Sequence, residues 1–151
     1  MAPMHFSTKG EYALRALVDL ATQGREGPVR AVEVADRQGI PVNYLEQLLG
    51  VLKRAGVVAS VRGPKGGFAL ARDPSEVTIE EVLVCMEGEV LPQECVGREC
   101  PSGAKKASVC AVRTVWTKVA AGVSAALGGL TLKELADKQR ALDASCGMNR
   151  V

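Results

Sequence analysis

The sequence is poor in aromatic residues, has a single histidine and contains no long apolar run. Aromatic residues make up 3% of the 151 positions, so a core must be built from aliphatic side chains, which favours packed helices over an all-β sandwich. No run of about 18 apolar residues is present, and the N-terminus lacks the basic and apolar stretches of a signal peptide. We therefore expect a mostly α, cytoplasmic protein without a membrane partner.

The net charge of +2 is small but unevenly divided along the chain. Residues 1–72 carry ten Lys/Arg and six Asp/Glu, whereas residues 73–151 carry nine and eleven. The basic excess on the N-terminal side is suited to binding the phosphate backbone of a nucleic acid. An ordinary scatter of charged residues over the protein surface would give the same excess equally well. The motifs must therefore decide between these two interpretations.

Helical periodicity and turn residues divide the first 72 residues into three helices and a hairpin. Thr8 and Glu11 stand three apart in front of an amphipathic pattern that ends at Gly24, as in a capping box. A second helix is predicted from Ala31 to Gln38, and a third starts at about Pro41. The third helix has leucines at the spacing of one buried face, namely Leu45, Leu48, Leu49 and Leu52.

Two β-prone runs, residues 57–62 and 68–72, flank the glycine-rich stretch Gly63–Gly67 and predict a small hairpin with a basic tip. Two short helices joined by a glycine turn and followed by such a hairpin lay one helix in the major groove of DNA, with a wing beside it. The predicted fold is mostly α with this one hairpin. Residues 1–88 are thus predicted to form a winged helix-turn-helix.

Polar residues on the free face of the third helix are candidates for contact with an operator. Asn43, Tyr44 and Gln47 can hydrogen-bond to base edges or phosphates, and Gln47 can pair with adenine. Glu46 can accept from a cytosine amino group, or it completes a cap with Asn43. At the wing, Arg62 and Lys65 flank glycines that allow approach to a minor groove, the alternative being a solvated turn.

The second half of the chain divides into a helix, a loop and two further helices. Thr78 and Glu81 predict a helix that ends at Gly88, after which residues 89–108 lack periodicity and are predicted to be a site loop. Residues 109–130 are predicted to form a dimerisation helix, and residues 131–151 a helix to Leu142 followed by a tail. The predicted dimer seam consists of Val109, Val112, Trp116, Val119, Val123, Ala126 and Leu130.

Three of the five cysteines, Cys95, Cys100 and Cys110, lie close enough together to form one thiolate site. Cys110 starts the long helix, where the helix dipole favours a thiolate. No CxxC pair is present, which argues against a ribbon-type zinc site, but an iron-sulfur cluster, a zinc ion and a thiol switch all remain open. Cys85 is predicted to be a buried core thiol and Cys146 an exposed one in a short tail.

The runs Ser7–Leu14, Asn43–Leu48 and Val61–Phe68 resemble the winged-helix regulator family of IscR, NsrR, RirA and CymR, over most of the chain from Met4 to Leu142. Three cysteines before a long helix are similar to the members that carry iron-sulfur clusters. The resemblance therefore implies a homodimeric transcription regulator, here expected to be a repressor, that binds a double-stranded DNA operator. It also implies a 2Fe-2S or 4Fe-4S cluster on the three cysteines.

The ligand pattern departs from IscR-like members of that family. Arg113 stands where those members have a ligand histidine, and arginine has no lone pair for a metal. Glu11 occupies the position at which NsrR supplies an aspartate from the partner subunit, so Glu11 is the candidate fourth ligand. The alternatives are His5, Cys85 or a small solvent thiol.

The resulting hypothesis is a regulator whose DNA affinity is controlled by the cluster in response to iron-sulfur status, iron, nitric oxide or redox stress. The first alternative keeps DNA binding but has a zinc site or a thiol switch. The second is a small iron-sulfur electron carrier or thiol enzyme. That class has no use for the recognition helix and wing, and the lone His5 offers no convincing catalytic base, so we expect no enzyme activity.

Overall fold

The computed structural model describes residues 7–88 and 111–148, and within them most residues are helical, with one two-stranded antiparallel hairpin. The predicted fold class is thereby confirmed. In chain order the elements are α1 (Thr8–Gln23), a 3₁₀ turn (Gly24–Glu26), α2 (Ala31–Gln38), α3 (Val42–Arg54), β1 (Val58–Val61), β2 (Gly67–Leu70), a second 3₁₀ turn (Pro74–Glu76), α4 (Ile79–Glu87), α5 (Ala111–Gly128) and α6 (Leu132–Met148).

Helix α1 is capped by Ser7, whose hydroxyl accepts a hydrogen bond from the Lys9 amide at 3.2 Å. The predicted capping box of Thr8 and Glu11 is therefore wrong, because Thr8 is already the first helical residue and the cap lies one position earlier. The helix ends at Gln23 and Gly24 is its C-cap, as the glycine at that position predicted. Its inner face is fully buried and supplies much of the core.

Helices α2 and α3 form the predicted pair joined by a glycine turn. Gly39 has a φ of 64°, in the left-handed region that glycine adopts without strain, and this ends α2 where the sequence indicated. Val34 and Ala35 of α2 point into the core. All of the predicted inward residues of α3 are buried, namely Leu45, Leu48, Leu49 and Leu52.

The hairpin is anchored to the entrance of α2. Strands β1 and β2 pair antiparallel, with Val58 opposite Leu70 and Val61 opposite Gly67. Phe68 also exchanges two backbone hydrogen bonds with Val29, at N···O distances of 2.9 and 2.7 Å. A Cβ on Gly67 would run into the Val29 carbonyl, so a glycine is required for this close approach.

Helix α4 starts at the predicted cap, since the Thr78 hydroxyl accepts from the Glu81 amide at 3.2 Å. It ends at Gly88, as predicted. Arg72, just beyond the hairpin, forms a salt bridge with Glu81 and so joins the end of the wing to the first turn of α4.

Helix α6 begins with the predicted box, in which Thr131 and Glu134 bond reciprocally at 2.8 and 3.3 Å. It continues to Met148 rather than ending at Leu142, because no glycine or proline interrupts the chain before Gly147. Cys146 consequently lies on a helix and not in a tail, although it is exposed as predicted.

The core of the described residues lies between α1, α2, α3 and α4, with α6 packed along α1. Leu132 and Ala136 of α6 are buried in that core. The guanidinium of Arg140 donates to the Ala21 carbonyl near the end of α1 at 2.8 Å. None of the helices in the described ranges has the length and apolar character needed to cross a membrane.

Candidate nucleic-acid interface and sensor residues

The outer face of α3 carries the polar residues predicted to contact bases. Asn43, Glu46 and Gln47 are exposed there. Helix α3 starts after Pro41 without a side-chain capping hydrogen bond, so the predicted capping role of Glu46 is wrong and its contact with a base stays a prediction. A shallow groove runs along this face and is lined by Asn43, Glu46, Gln47, Gly50, Val51 and Arg54.

Tyr44 differs from its neighbours on α3 because its ring is half-buried. The ring stands edge-on to Tyr12 of α1, with centroids 6.0 Å apart and an interplanar angle of 76°. Such aromatic pairs contribute about 0.5–1.5 kcal/mol beyond the area they bury. The Tyr44 ring therefore packs α3 against α1, and this contact does not depend on what the Tyr44 hydroxyl binds.

The wing tip presents the two predicted cations to solvent. Arg62 and Lys65 are both exposed, on either side of a turn in which Gly63 has a φ of 119°. A Cβ on Gly66 would overlap the Val61 carbonyl, so this turn also needs glycine. The tip is narrow because its glycines keep side chains out of the space between the strands.

A buried carboxylate that the sequence analysis missed joins α1 to α2. Asp19 is 3% exposed, and it accepts from Arg37 Nε at 3.0 Å, Arg37 Nη2 at 2.6 Å and Gln38 Nε2 at 3.0 Å. The hydrogen bond with Asp19 raises the pKa of Arg37 above its ordinary value. A lone acidic residue within the apolar stretch Leu17–Ala21 is the signal that could have revealed it.

Arg15 makes a second connection between α1 and the end of α2. It donates to the Gln38 backbone carbonyl and, at 3.4 Å, to the Gln38 side-chain oxygen. Its guanidinium also lies 5.7 Å from the centroid of the Tyr12 ring, within the range of a cation–π contact. Together with Asp19 and Tyr44, these contacts hold the first three helices as one body.

Glu11, the candidate fourth ligand, lies on the solvent side of the first turn of α1. Its side chain is 66% exposed, and one carboxylate oxygen is 3.9 Å from Arg15 Nη1. An exposed pair at that distance contributes little to stability. The carboxylate is thus accessible to a further partner, which fits a ligand role.

The N-terminus of α1 is held instead by a distant acidic residue, Glu87. Glu87 Oε1 accepts from the Ser7 amide at 3.1 Å, from the Gly10 amide at 3.2 Å and from the Ser7 hydroxyl. Gly10 is buried against α4, and a Cβ there would lie 2.9 Å from Leu83 Cδ2. Sequence periodicity gives no signal for such a contact between residues so far apart in the chain.

Most of the predicted sensor residues cannot be placed. Cys95, Cys100, Cys110 and His5 lie outside the described residues. Within residues 7–88 and 111–148, no group of three or more Cys, His, Asp or Glu side chains could hold a metal ion. Cys85 is only partly buried rather than a full core residue. Burial, followed by the nearby Glu81 charge, raises the pKa of its thiol.

Sequence comparison places this architecture beside known regulators. A sequence model of the Rrf2 family, described as iron-dependent transcriptional regulator, matches residues 6–138. The HTH-type transcriptional regulator IscR of Photorhabdus laumondii is 37% identical over 140 residues, which cover 93% of this chain and 84% of that protein. The same regulator of Serratia proteamaculans is 38% identical over 139 residues, covering 92% and 83%.

Solved structures with the same fold include two regulators. CymR, the global cysteine regulator of B. subtilis, superposes with a TM-score of 0.73 at 32% identity, covering 87% of this chain and 95% of that one. IscR of T. potens gives a TM-score of 0.71 at 35% identity, with 88% and 86% covered. One of these neighbours is named for cysteine regulation, and the other shares its name with the curated relatives.

Proposed function

Because the chain belongs to the Rrf2 family of transcriptional regulators and is thus a DNA-binding regulator rather than an enzyme, we propose that it is a homodimeric repressor controlled by an iron-sulfur cluster. The observation that carries the DNA-binding part is the pairing of an exposed polar face on α3 with an exposed basic wing, both joined to one packed body. We call this body, residues 8–70, the head.

The head is proposed to bind an operator with α3 in the major groove. Gln47 is suited to pair with adenine and Glu46 to accept from a cytosine amino group, while Asn43 and Tyr44 contact base edges or phosphates. Arg62 and Lys65 would enter or flank the adjacent minor groove. The exposure of Asn43, Glu46, Gln47 and the two wing cations supports these roles, and for half-buried Tyr44 only a contact through its hydroxyl is proposed.

Homodimerisation is proposed to occur through α5. Among the described residues of this helix only Ala120 is buried, whereas Val112 and Val115 are 60% and 57% exposed. Contiguous exposed apolar side chains on one helix are typical of an interface. Half-buried Trp116 and Val123 extend the same apolar surface and support the seam predicted from the sequence.

The sensor is proposed to be a 2Fe-2S or 4Fe-4S cluster held by Cys95, Cys100 and Cys110, with Glu11 of the partner subunit as the fourth ligand. Thiolates are the ordinary ligands of iron-sulfur clusters, and a carboxylate makes a more easily replaced bond than a thiolate. The accessibility of the Glu11 carboxylate supports its part in the proposal.

Control of DNA affinity is proposed to follow from the geometry of the dimer. A link between the cysteine segment of one subunit and α1 of the other would fix how the two α3 helices are spaced on a palindromic site. Binding or loss of the cofactor at that link would then change the affinity for DNA without any change in the residues that contact bases. Iron supply, nitric oxide and redox stress are the proposed signals.

Anaerobic purification tests this proposal. The wild-type chain is expected to show visible absorbance and to contain iron rather than zinc, with Mössbauer spectra distinguishing the two cluster types. Cys100→Ser should abolish the absorbance, and the matched control Cys146→Ser, at an exposed thiol on α6, should leave it unchanged. Colourless, iron-free protein that cannot be reconstituted with iron and sulfide would refute the cluster, and zinc in its place would identify a zinc site.

DNA binding is measured on the same preparations. A duplex selected from a random-sequence pool serves as the operator, and its affinity is compared for the cluster-loaded and metal-free protein. Equal affinities of the two forms on every selected duplex would leave a DNA-binding regulator without cluster control.

A further inference from the structure

Glu87 is the last residue of α4, and its carboxylate fills the N-terminus of α1. Two backbone amides, those of Ser7 and Gly10, and the Ser7 hydroxyl all donate to Glu87 Oε1. The amides at a helix N-terminus lack partners within the helix and favour a negative charge. This carboxylate therefore supplements the local Ser7 cap, whose hydroxyl accepts from the Lys9 amide, and it does so from the far end of another helix.

The contact is close on its apolar side as well. Gly10 faces α4, and any side chain there would meet Leu83 at 2.9 Å and Glu87 Oε1 at 3.0 Å. The first turn of α1 and the last turn of α4 thus lie against each other without space for a methyl group. A displacement of α4 by about 1 Å would lengthen the hydrogen bonds beyond their working range.

The opposite sides of α1 are fixed to the remainder of the head. Tyr12 contacts Tyr44 of α3, Arg15 holds the end of α2, and Asp19 binds Arg37 and Gln38 of α2. A movement imposed on the first turn of α1 is therefore carried to α2 and α3 as a rotation of one packed body. The head would resist internal deformation, because the Asp19–Arg37 connection is bidentate with a buried carboxylate, and the three helices share one packed core.

From this arrangement we infer that Glu87 is a positioning residue that couples the cysteine-bearing segment to the head. Glu87 is followed by Gly88 and then by residues 89–110, which contain Cys95, Cys100 and Cys110. The chain enters that segment directly from the end of α4, and the Glu87 carboxylate joins this end of α4 to the first turn of α1. The inference rests on the proposed function, of which it specifies the regulatory connection.

The test compares Glu87→Ala and Glu87→Gln with the control Glu76→Ala. Glu76 is exposed, and its side chain has no hydrogen bond or ion pair with the described residues. For each protein the operator affinity is measured with and without the cluster, together with iron per chain. Amide hydrogen exchange of the first turn of α1 is measured on the metal-free form as a readout independent of the cofactor.

Wild-type protein should show an affinity ratio between the two forms in the range of about 5- to 150-fold typical of coupled sites. Glu87→Ala should bring the ratio close to one with normal iron content, and it should speed exchange in the first turn of α1. Glu87→Gln keeps an acceptor oxygen and should retain part of the ratio. Glu76→Ala should behave as wild type.

A ratio of cluster-loaded to metal-free operator affinity that is unchanged in Glu87→Ala would overturn the inference. A loss of affinity by the same factor in the cluster-loaded and metal-free forms would also overturn it, since that is the effect of a cap with only a structural role. Either result would leave the proposed function intact, because the wild type would still bind a cluster and respond to it. Failure of the proposed function itself would be visible in the wild type, as absent iron or a ratio of one.

Discussion

Removal of the buried Asp19 carboxylate is expected to loosen α2 from α1. The side chain accepts three hydrogen bonds, of which two come from Arg37 and one from Gln38. Breaking a buried pair costs about 3–5 kcal/mol when the remaining charge stays buried. The Arg37 side chain is 39% exposed and can be hydrated again, so the expected loss for Asp19→Ala is about 2–3 kcal/mol.

Urea unfolding of the metal-free protein, followed by circular dichroism at one fixed protein concentration, measures this loss. For a chain of this length the same change corresponds to a lower Tm by roughly 4–12 °C. Asp36→Ala is the matched control, because Asp36 is exposed on α2, the helix that Asp19 binds, and its side chain makes no hydrogen bond or ion pair with the described residues. Indistinguishable midpoints for the two variants would refute the role assigned to Asp19.

Three further outcomes are expected. Arg62→Ala should weaken operator binding severalfold in a gel-shift titration, whereas Arg25→Ala, at an exposed site outside the proposed interface, should not; unchanged binding by the first variant would exclude the wing. Hydrogen bonds from Thr131 lower the pKa of Glu134 below 4.5. The contribution of the Glu134 carboxylate to stability is therefore present above its pKa in the unfolded chain, and it is lost as the pH falls through its pKa in the folded protein. Glu134→Gln should accordingly lower the urea midpoint at about pH 7 and much less at about pH 3. With Cys95, Cys100 and Cys110 replaced by serine, a thiol reagent should label exposed Cys146 before Cys85, whose pKa is raised by burial; the reverse order would contradict the packing of α4.

Local patterns in the sequence predicted the elements whose ends are determined by neighbouring residues. Helix α2, the hairpin and the caps at Thr78 and Thr131 all depend on residues within a few positions, such as Gly39 or Glu134, and all were predicted correctly. The core face of α3 followed from leucine spacing alone.

The end of α6 and the start of α3 were local errors, whereas two other misses share a physical cause, a contact between residues distant in sequence. The start of α1 was assigned to a local box, but its amides are bound by Glu87. Asp19 was missed because its partners, Arg37 and Gln38, lie on α2, 18 and 19 positions further along the chain. Cys95, Cys100 and Cys110 lie outside the described residues, so the thiolate part of the sensor is a prediction from spacing and resemblance.

The bridge between Phe68 and Val29 has a consequence for how the regulator can be tuned. Because the main chain itself ties the wing to the entrance of α2, the wing and α3 cannot shift independently on the DNA. In the proposed homodimer, a signal would therefore alter the distance and angle between the two heads but not the bases preferred by either one. In a genome this predicts that induced and uninduced states share one consensus motif and differ in the spacer length they tolerate between its repeats.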